Sequence, residues 1–200
     1  CYIKSMKNKL LIIFLLILYS FSFLKVCASE AFNFDVTEIE ISENGDKFVG
    51  KKRGKITSSD GIIINADQFE YYKKSNILYA KGNIEIIDKL NKYLITSDNI
   101  TYEKEKEIIF TNGNSQAQNL EDGIIISSTN FNYNRNENII IAKNNVIIEN
   151  QKEDYKIKSN FISYSLEEQK IYSKGKTTGI IKSKYNFKSE DIIFLKNKNE

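Results

Sequence analysis

Apolar and polar positions alternate in short runs along this chain, and the runs recur. The clearest stretch is Gly61 to Asp88. Ile62, Ile64 and Ala66 share one face of an extended segment, because side chains alternate along a strand. Phe69 and Tyr71 share a face with each other but sit at odd offset from Ile64. A bulge or kink near Ala66-Asp67 brings both sets to the same side. The segment reads as three strands: Ile62 to Tyr71, Ile77 to Ala80 and Ile84 to Ile87. A polar turn, Tyr72 to Asn76, separates the first two, and Gly82-Asn83 turns the chain into the third.

The same segment returns every 31 residues. Tyr71 becomes Tyr102, Tyr133 and Tyr164, and Phe69 becomes Ile100, Phe131 and Ile162. Ile64 becomes Ile95, Ile126 and Ile157, and Leu78 becomes Ile109, Ile140 and Ile171. Small residues hold the bend: Ala66, Ser97, Ser128 and Ser159. Gly82, Gly113, Asn144 and Gly175 occupy a position expected to need positive φ, since Asn tolerates that conformation better than other non-glycine residues. A fifth copy begins at Tyr185 with Phe187, Ile193 and Phe194, and the sequence is expected to stop inside it. One such unit cannot bury its apolar stripe alone, whereas stacked units bury a continuous one.

Ahead of the repeats, Phe34, Val36, Ile39 and Ile41 alternate with polar residues and predict a half-buried strand over Phe34 to Ile41, followed by a hairpin turn at Asn44-Gly45. The first 28 residues differ in kind. Met6-Lys7-Asn8-Lys9 is a basic start, Leu10 to Leu24 an apolar run, and Val26-Cys27-Ala28 a small-residue cleavage pattern. This predicts a signal peptide over residues 1–28 with its start at Met6, and an exported product.

Composition supports strands: 12 Tyr, 12 Phe, abundant Ile and no Pro or Trp. The formal charge is +3, but four lysines fall in the leader, and without them 25 basic residues face 26 acidic ones. A nucleic-acid partner is therefore not expected. There is no His, and the cysteines are Cys1 and Cys27. Zinc ligation by His or Cys and His-based catalysis are not available in the repeats, and no cofactor is expected. The pair Glu167-Glu168 falls in a predicted turn and reads as solvated. No Gly-rich phosphate loop ending in Lys-Ser/Thr occurs.

The pattern Ala66-Asp67-x-Phe69-x-Tyr71 followed by Ala80-Lys81-Gly82-Asn83-Ile84, repeated after a leader, resembles the OstA-like repeat domain of lipopolysaccharide-transport proteins. That domain occurs in the LptA and LptC types and at the N-terminus of the LptD type, which this chain resembles most. The resemblance covers roughly residues 34–195. It implies an all-β, twisted open β-jellyroll whose groove carries acyl chains, and no enzymatic activity. The groove lining would be Ile64, Phe69, Tyr71 and Leu78 with the equivalents given above. It also implies edge-strand pairing with other LptA-like jellyrolls through Phe34, Val36, Ile39 and Ile41. If a barrel follows residue 200, it implies attachment to the outer membrane and an LptE-like lipoprotein partner; otherwise an LptA/LptC-type periplasmic bridge component. Many LptD-type proteins carry cysteines in this domain, and the repeats here have none. The reading of another class is a secreted structural β-solenoid or adhesin with a sealed interior.

Overall fold

The computed structural model describes residues 31–195; the leader expected over residues 1–28 lies outside the described residues. The alternation read above becomes eighteen strands and two single 3₁₀ turns, Glu43–Gly45 and Lys104–Lys106. The fold is all-β, and every strand pairing is antiparallel.

The repeat explains the path. In the first copy, β5 (Ile62–Ala66) and β6 (Gln68–Tyr72) are separated only by Asp67, and β7 (Ile77–Asp88) returns along both. Leu78 lies opposite Tyr71 on β6, and Ile86 lies opposite Ile64 on β5. The bend at Asp67 shifts the alternation by one, so Ile62, Ile64, Ala66, Phe69 and Tyr71 are all buried on one side, as the odd offset predicts. The second copy runs out on β8 (Tyr93–Glu103) and back on β9 (Ile108–Asn112) and β10 (Ser115–Asn119). The third goes out on β11 (Ile124–Ser128) and β12 (Asn130–Asn134) and returns on β13 (Ile139–Asn150). The fourth uses β14 (Tyr155–Ser165), β15 (Lys170–Lys174) and β16 (Thr177–Ile181), and β17 (Tyr185–Ser189) and β18 (Ile192–Leu195) follow. Before the repeats come β1 (Phe32–Asp35), β2 (Ile39–Ser42), β3 (Lys47–Gly50) and β4 (Gly54–Ser58).

Two sequence expectations are corrected. Gly82-Asn83 does not reverse the chain between two strands. β7 passes through it as one strand with a register shift between Lys81 and Ile84. Gly82 and Asn83 have φ of 78° and 43°, and two successive left-handed residues lengthen and bend the strand without turning it back. The positive φ expected of this column holds at Gly82, Gly113, Asn144 and Gly175. The second correction concerns Phe34 to Ile41, which is not one strand: it breaks after Asp35, and β1 and β2 pair with different partners, β4 and β3.

The bends divide the strands into two layers. Sheet I runs β1, β4, β5, the second half of β7, the first half of β8, β10, β11, the second half of β13, the first half of β14, β16 and β17. Sheet II runs β2, β3, β6, the other halves of β7 and β8, β9, β12, the other halves of β13 and β14, β15 and β18. Strands crossing from one sheet to the other join them along one margin, the spine. At the opposite margin the turns of the two sheets meet, and we call this the mouth. The layers face each other through side chains: Tyr93 of sheet I lies 5.3 Å from Tyr133 of sheet II, ring to ring, and Phe32 lies 5.0 Å from Tyr71. The result is a two-layer, twisted jellyroll-like fold around one apolar core.

Candidate functional site

The residues expected to line a groove all come together in the interior. Ile64, Ile95, Ile126 and Ile157 point inward from sheet I, and Leu78, Ile109, Ile140 and Ile171 from sheet II. Phe69, Ile100, Phe131 and Ile162 sit beside the spine, and Tyr71, Tyr102, Tyr133 and Tyr164 toward the mouth. Each is at most 4 % exposed. In this state the columns pack on one another as a core, unbroken from the first repeat to the last. Phe34 closes the N-terminal end, its ring stacked 5.7 Å from Phe48 and 5.7 Å from Phe69.

The tyrosine column has a second use. Its rings belong to the core, but its hydroxyls reach polar groups at the mouth. Tyr71 donates to Asn76 (2.6 Å), Tyr102 to Glu107 (2.7 Å) and Tyr133 to Asp88 (2.8 Å). A buried amphipathic ring needs such a partner, and the turn residues supply it at each step.

At the third repeat the mouth is bolted by charge. Arg135, directly after β12 of sheet II, is buried. Its Nε donates to Asp88 Oδ2 at 2.9 Å and its Nη1 to the Tyr102 hydroxyl at 3.1 Å. It also pairs with Asp60 and Glu107. Lys104 joins them, 3.0 Å from Asp60 and paired with Glu107. Asn91 donates to the Tyr133 hydroxyl (2.8 Å) and to the Arg135 carbonyl (3.3 Å). Asp60 and Asn91 belong to the turns of sheet I and Asp88 ends β7 beside them, while Lys104, Glu107 and Arg135 belong to the turns of sheet II. The cluster therefore spans the mouth. Burial opposes ionisation of Asp88, but Arg135, the Asn91 amide and Tyr133 outweigh it and hold its pKa below the ordinary value. Burial likewise opposes ionisation of Asp60, and Ser58, Arg135 and Lys104 together lower its pKa. The Tyr102 and Tyr133 hydroxyls are pushed upward, chiefly by burial and then by their carboxylate neighbours.

Sequence reasoning did not single out Arg135. A signal was present: the same repeat position holds Lys73, Lys104 and Leu166, so the one arginine breaks a column. Nothing in the sequence paired it with Asp60, 75 residues earlier.

The residues expected at a partner edge sit at the N-terminal end of both sheets. Among the described residues β1 pairs only with β4, and β2 only with β3. Phe34 and Val36 are half-buried, whereas Ile39 and Ile41 are exposed. The far end is similar: among the described residues β17 pairs only with β16 and β18 only with β15, with Tyr185, Ile193 and Leu195 exposed.

The outward face of sheet II has its own order. Tyr79, Phe110, Ile141 and Tyr172 form its central row, alternating across the strands with Thr101, Asn132 and Ser163. Over the first two repeats this face sinks into a concavity of about 830 Å³ walled by Val49, Tyr72, Tyr79 and Phe110.

No family model matches the chain, and no curated protein matches it in sequence. Among solved structures it is similar to LptH, the LptA-homologous periplasmic component of the lipopolysaccharide transport device of Pseudomonas aeruginosa. That likeness has 14 % identity over 53 % of this chain and 76 % of that one, with a TM-score of 0.48.

Proposed function

We propose that this chain handles lipopolysaccharide: that its interior receives acyl chains and passes them toward the outer membrane, without enzymatic chemistry. The observation that carries the reading is the unbroken set of apolar columns between two ends whose last strands, among the described residues, are paired on one side only. Burial of apolar surface is worth about 25 cal/mol per Å², so an aliphatic interior favours acyl chains over water. A lining repeated at each unit offers similar positions along its length, which suits movement better than fixed binding.

The construction also supports opening. At the spine the sheets are joined by continuous backbone. At the mouth, among the described residues, side chains make the contacts and no backbone–backbone hydrogen bond joins the sheets, so the layers can part there without breaking a strand ladder. The sugar and phosphate head would stay outside. At each end of the described residues, the outer edge of the last strands can add a strand from another jellyroll. The finer reading is the periplasmic N-terminal domain of an LptD-type assembly protein, with LptA-like partners at its edges and an LptE-like lipoprotein at its barrel; the gene sequence beyond position 200 decides it. A short continuation points instead to an LptA- or LptC-type bridge.

The sealed packing of the interior favours one competitor, a structural β-solenoid that binds no lipid. Photoreactive residues placed at Tyr102 or Ile126, in cells making lipopolysaccharide, separate the two. Lipopolysaccharide adducts are expected at both positions, and their absence defeats the transport reading.

A further inference from the structure

The outward row of sheet II is not explained by the core. Tyr79, Phe110, Ile141 and Tyr172 recur at one repeat position and point away from the interior. Strand spacing of about 4.8 Å places them roughly 10 Å apart, with one polar residue between each pair. Sheet I also turns apolar side chains outward, among them Ile63, Ile87, Leu94 and Ile125, but these are aliphatic, and among the described residues its row carries no aromatic ring.

Over the first two repeats the row becomes a trough. Its volume of about 830 Å³ falls in the roughly 300–1,000 Å³ range of small-molecule sites. Tyr79 stands 44 % exposed in its wall, edge-on to Tyr72 at 5.8 Å. The charges at the rim are unequal. Glu70 is taken up by Lys47 at 3.0 Å and by the Tyr72 hydroxyl at 2.9 Å. Lys51 is held by Glu40 at 2.6 Å. Lys81 is exposed and has no acidic partner among the described residues. The trough is thus an apolar wall beside one uncompensated cation, a charge pattern complementary to a chain with an anionic end.

We propose that this trough binds an acyl amphiphile with an anionic head group, its tail along Tyr72, Tyr79 and Phe110 and its head at Lys81. The site lies outside the two-layer interior and does not depend on the interior carrying lipid.

Calorimetric titration of the full chain with dodecyl phosphate, below its micelle concentration, tests this. One equivalent is expected to bind. Lys81→Glu and Tyr79→Ser each weaken binding at least tenfold; Lys81→Glu leaves the melting temperature unchanged because its side chain is exposed, and Tyr79→Ser, which gives up the contact with Tyr72, still unfolds cooperatively. Lys143→Glu, at the position of Lys81 two repeats on and outside the trough, leaves binding intact. Inorganic phosphate gives no heat, and dodecyl maltoside binds at least tenfold more weakly than dodecyl phosphate. Equal binding of the two detergents, no binding at all, or binding that survives both trough variants overturns the proposal. A photoreactive alkyl phosphate adds a positional readout. Adducts at Phe110 support the trough. Adducts confined to Ile126 place the ligand in the interior, which removes this site and leaves the interior reading standing. Trough-dependent binding without lipopolysaccharide adducts at Ile126 gives the converse.

Discussion

One glycine against a ring and one asparagine in the glycine column show how single positions fix this fold. Gly50 ends β3 beneath Phe69, where a Cβ would lie 2.1 Å from the ring. Phe69 is itself 2 % exposed and packed against Phe34, so it has little room to retreat. Gly50→Ala should cost about 1–3 kcal/mol as an overpacking change, read as a lower urea midpoint, and Phe69→Leu in the same chain should recover part of it. Asn144 has φ of 66° where the other copies have glycine. Asn144→Gly should therefore be tolerated, while Asn144→Val should destabilise by about 1–2 kcal/mol, the cost of a left-handed residue with a branched Cβ. Thermal unfolding of the two variants side by side measures the difference.

Among the elements, the turns at the mouth hold the balance between a closed core and an open groove. Arg135 faces three carboxylates there. Removing it strands buried negative charge, so Arg135→Met should destabilise by about 3–5 kcal/mol at neutral pH. Adding Asp88→Asn should make the double variant less damaged than the two single losses summed, which a double-mutant cycle measures. The cluster also sets an acid response. Asp60 and Asp88 have folded pKa values depressed below their ordinary ones. Their contribution is complete above the unfolded Asp value of about 3.9 and is lost as pH falls through the folded values. Denaturant midpoints should thus hold from pH 7 to about 5 and then drop toward pH 2, and the drop should be shallower in Asp88→Asn.

For the molecule as a whole, the contrast between its two margins and its two ends matters most. The spine is covalent and hydrogen-bonded, while the mouth is held by side chains. Among the described residues both ends leave strands unpaired on one side, with Ile41 59 % and Ile193 64 % exposed. Edge strands of this kind recruit other strands unless charge blocks them. Ile193→Lys should reduce end-to-end association in sedimentation experiments at high protein concentration. Its unfolding free energy should stay within about 0.5 kcal/mol of the parent, as for other surface substitutions.

By itself the sequence determined which stretches of the repeats are extended, their apolar faces, the bend at Asp67 and the positive-φ column at Gly82. These are local properties, set by alternation and by which residues tolerate a left-handed backbone, and four copies in register make them legible. Tertiary structure alone decided the rest. That Gly82-Asn83 bends β7 instead of reversing it depends on β7 pairing with both β5 and β6 at once. That Phe34 and Ile41 belong to different strands depends on which sheet each joins. That Arg135 meets Asp60 and Asp88 depends on turns from two sheets closing on each other, a contact no sequence period encodes. Tyr79 and Phe110 read locally as ordinary strand residues, and only the closing of the core on the opposite face left them outside in a trough. Alternation states that two faces differ; which one is buried, and what gathers at the margins, follows from the packing of the layers.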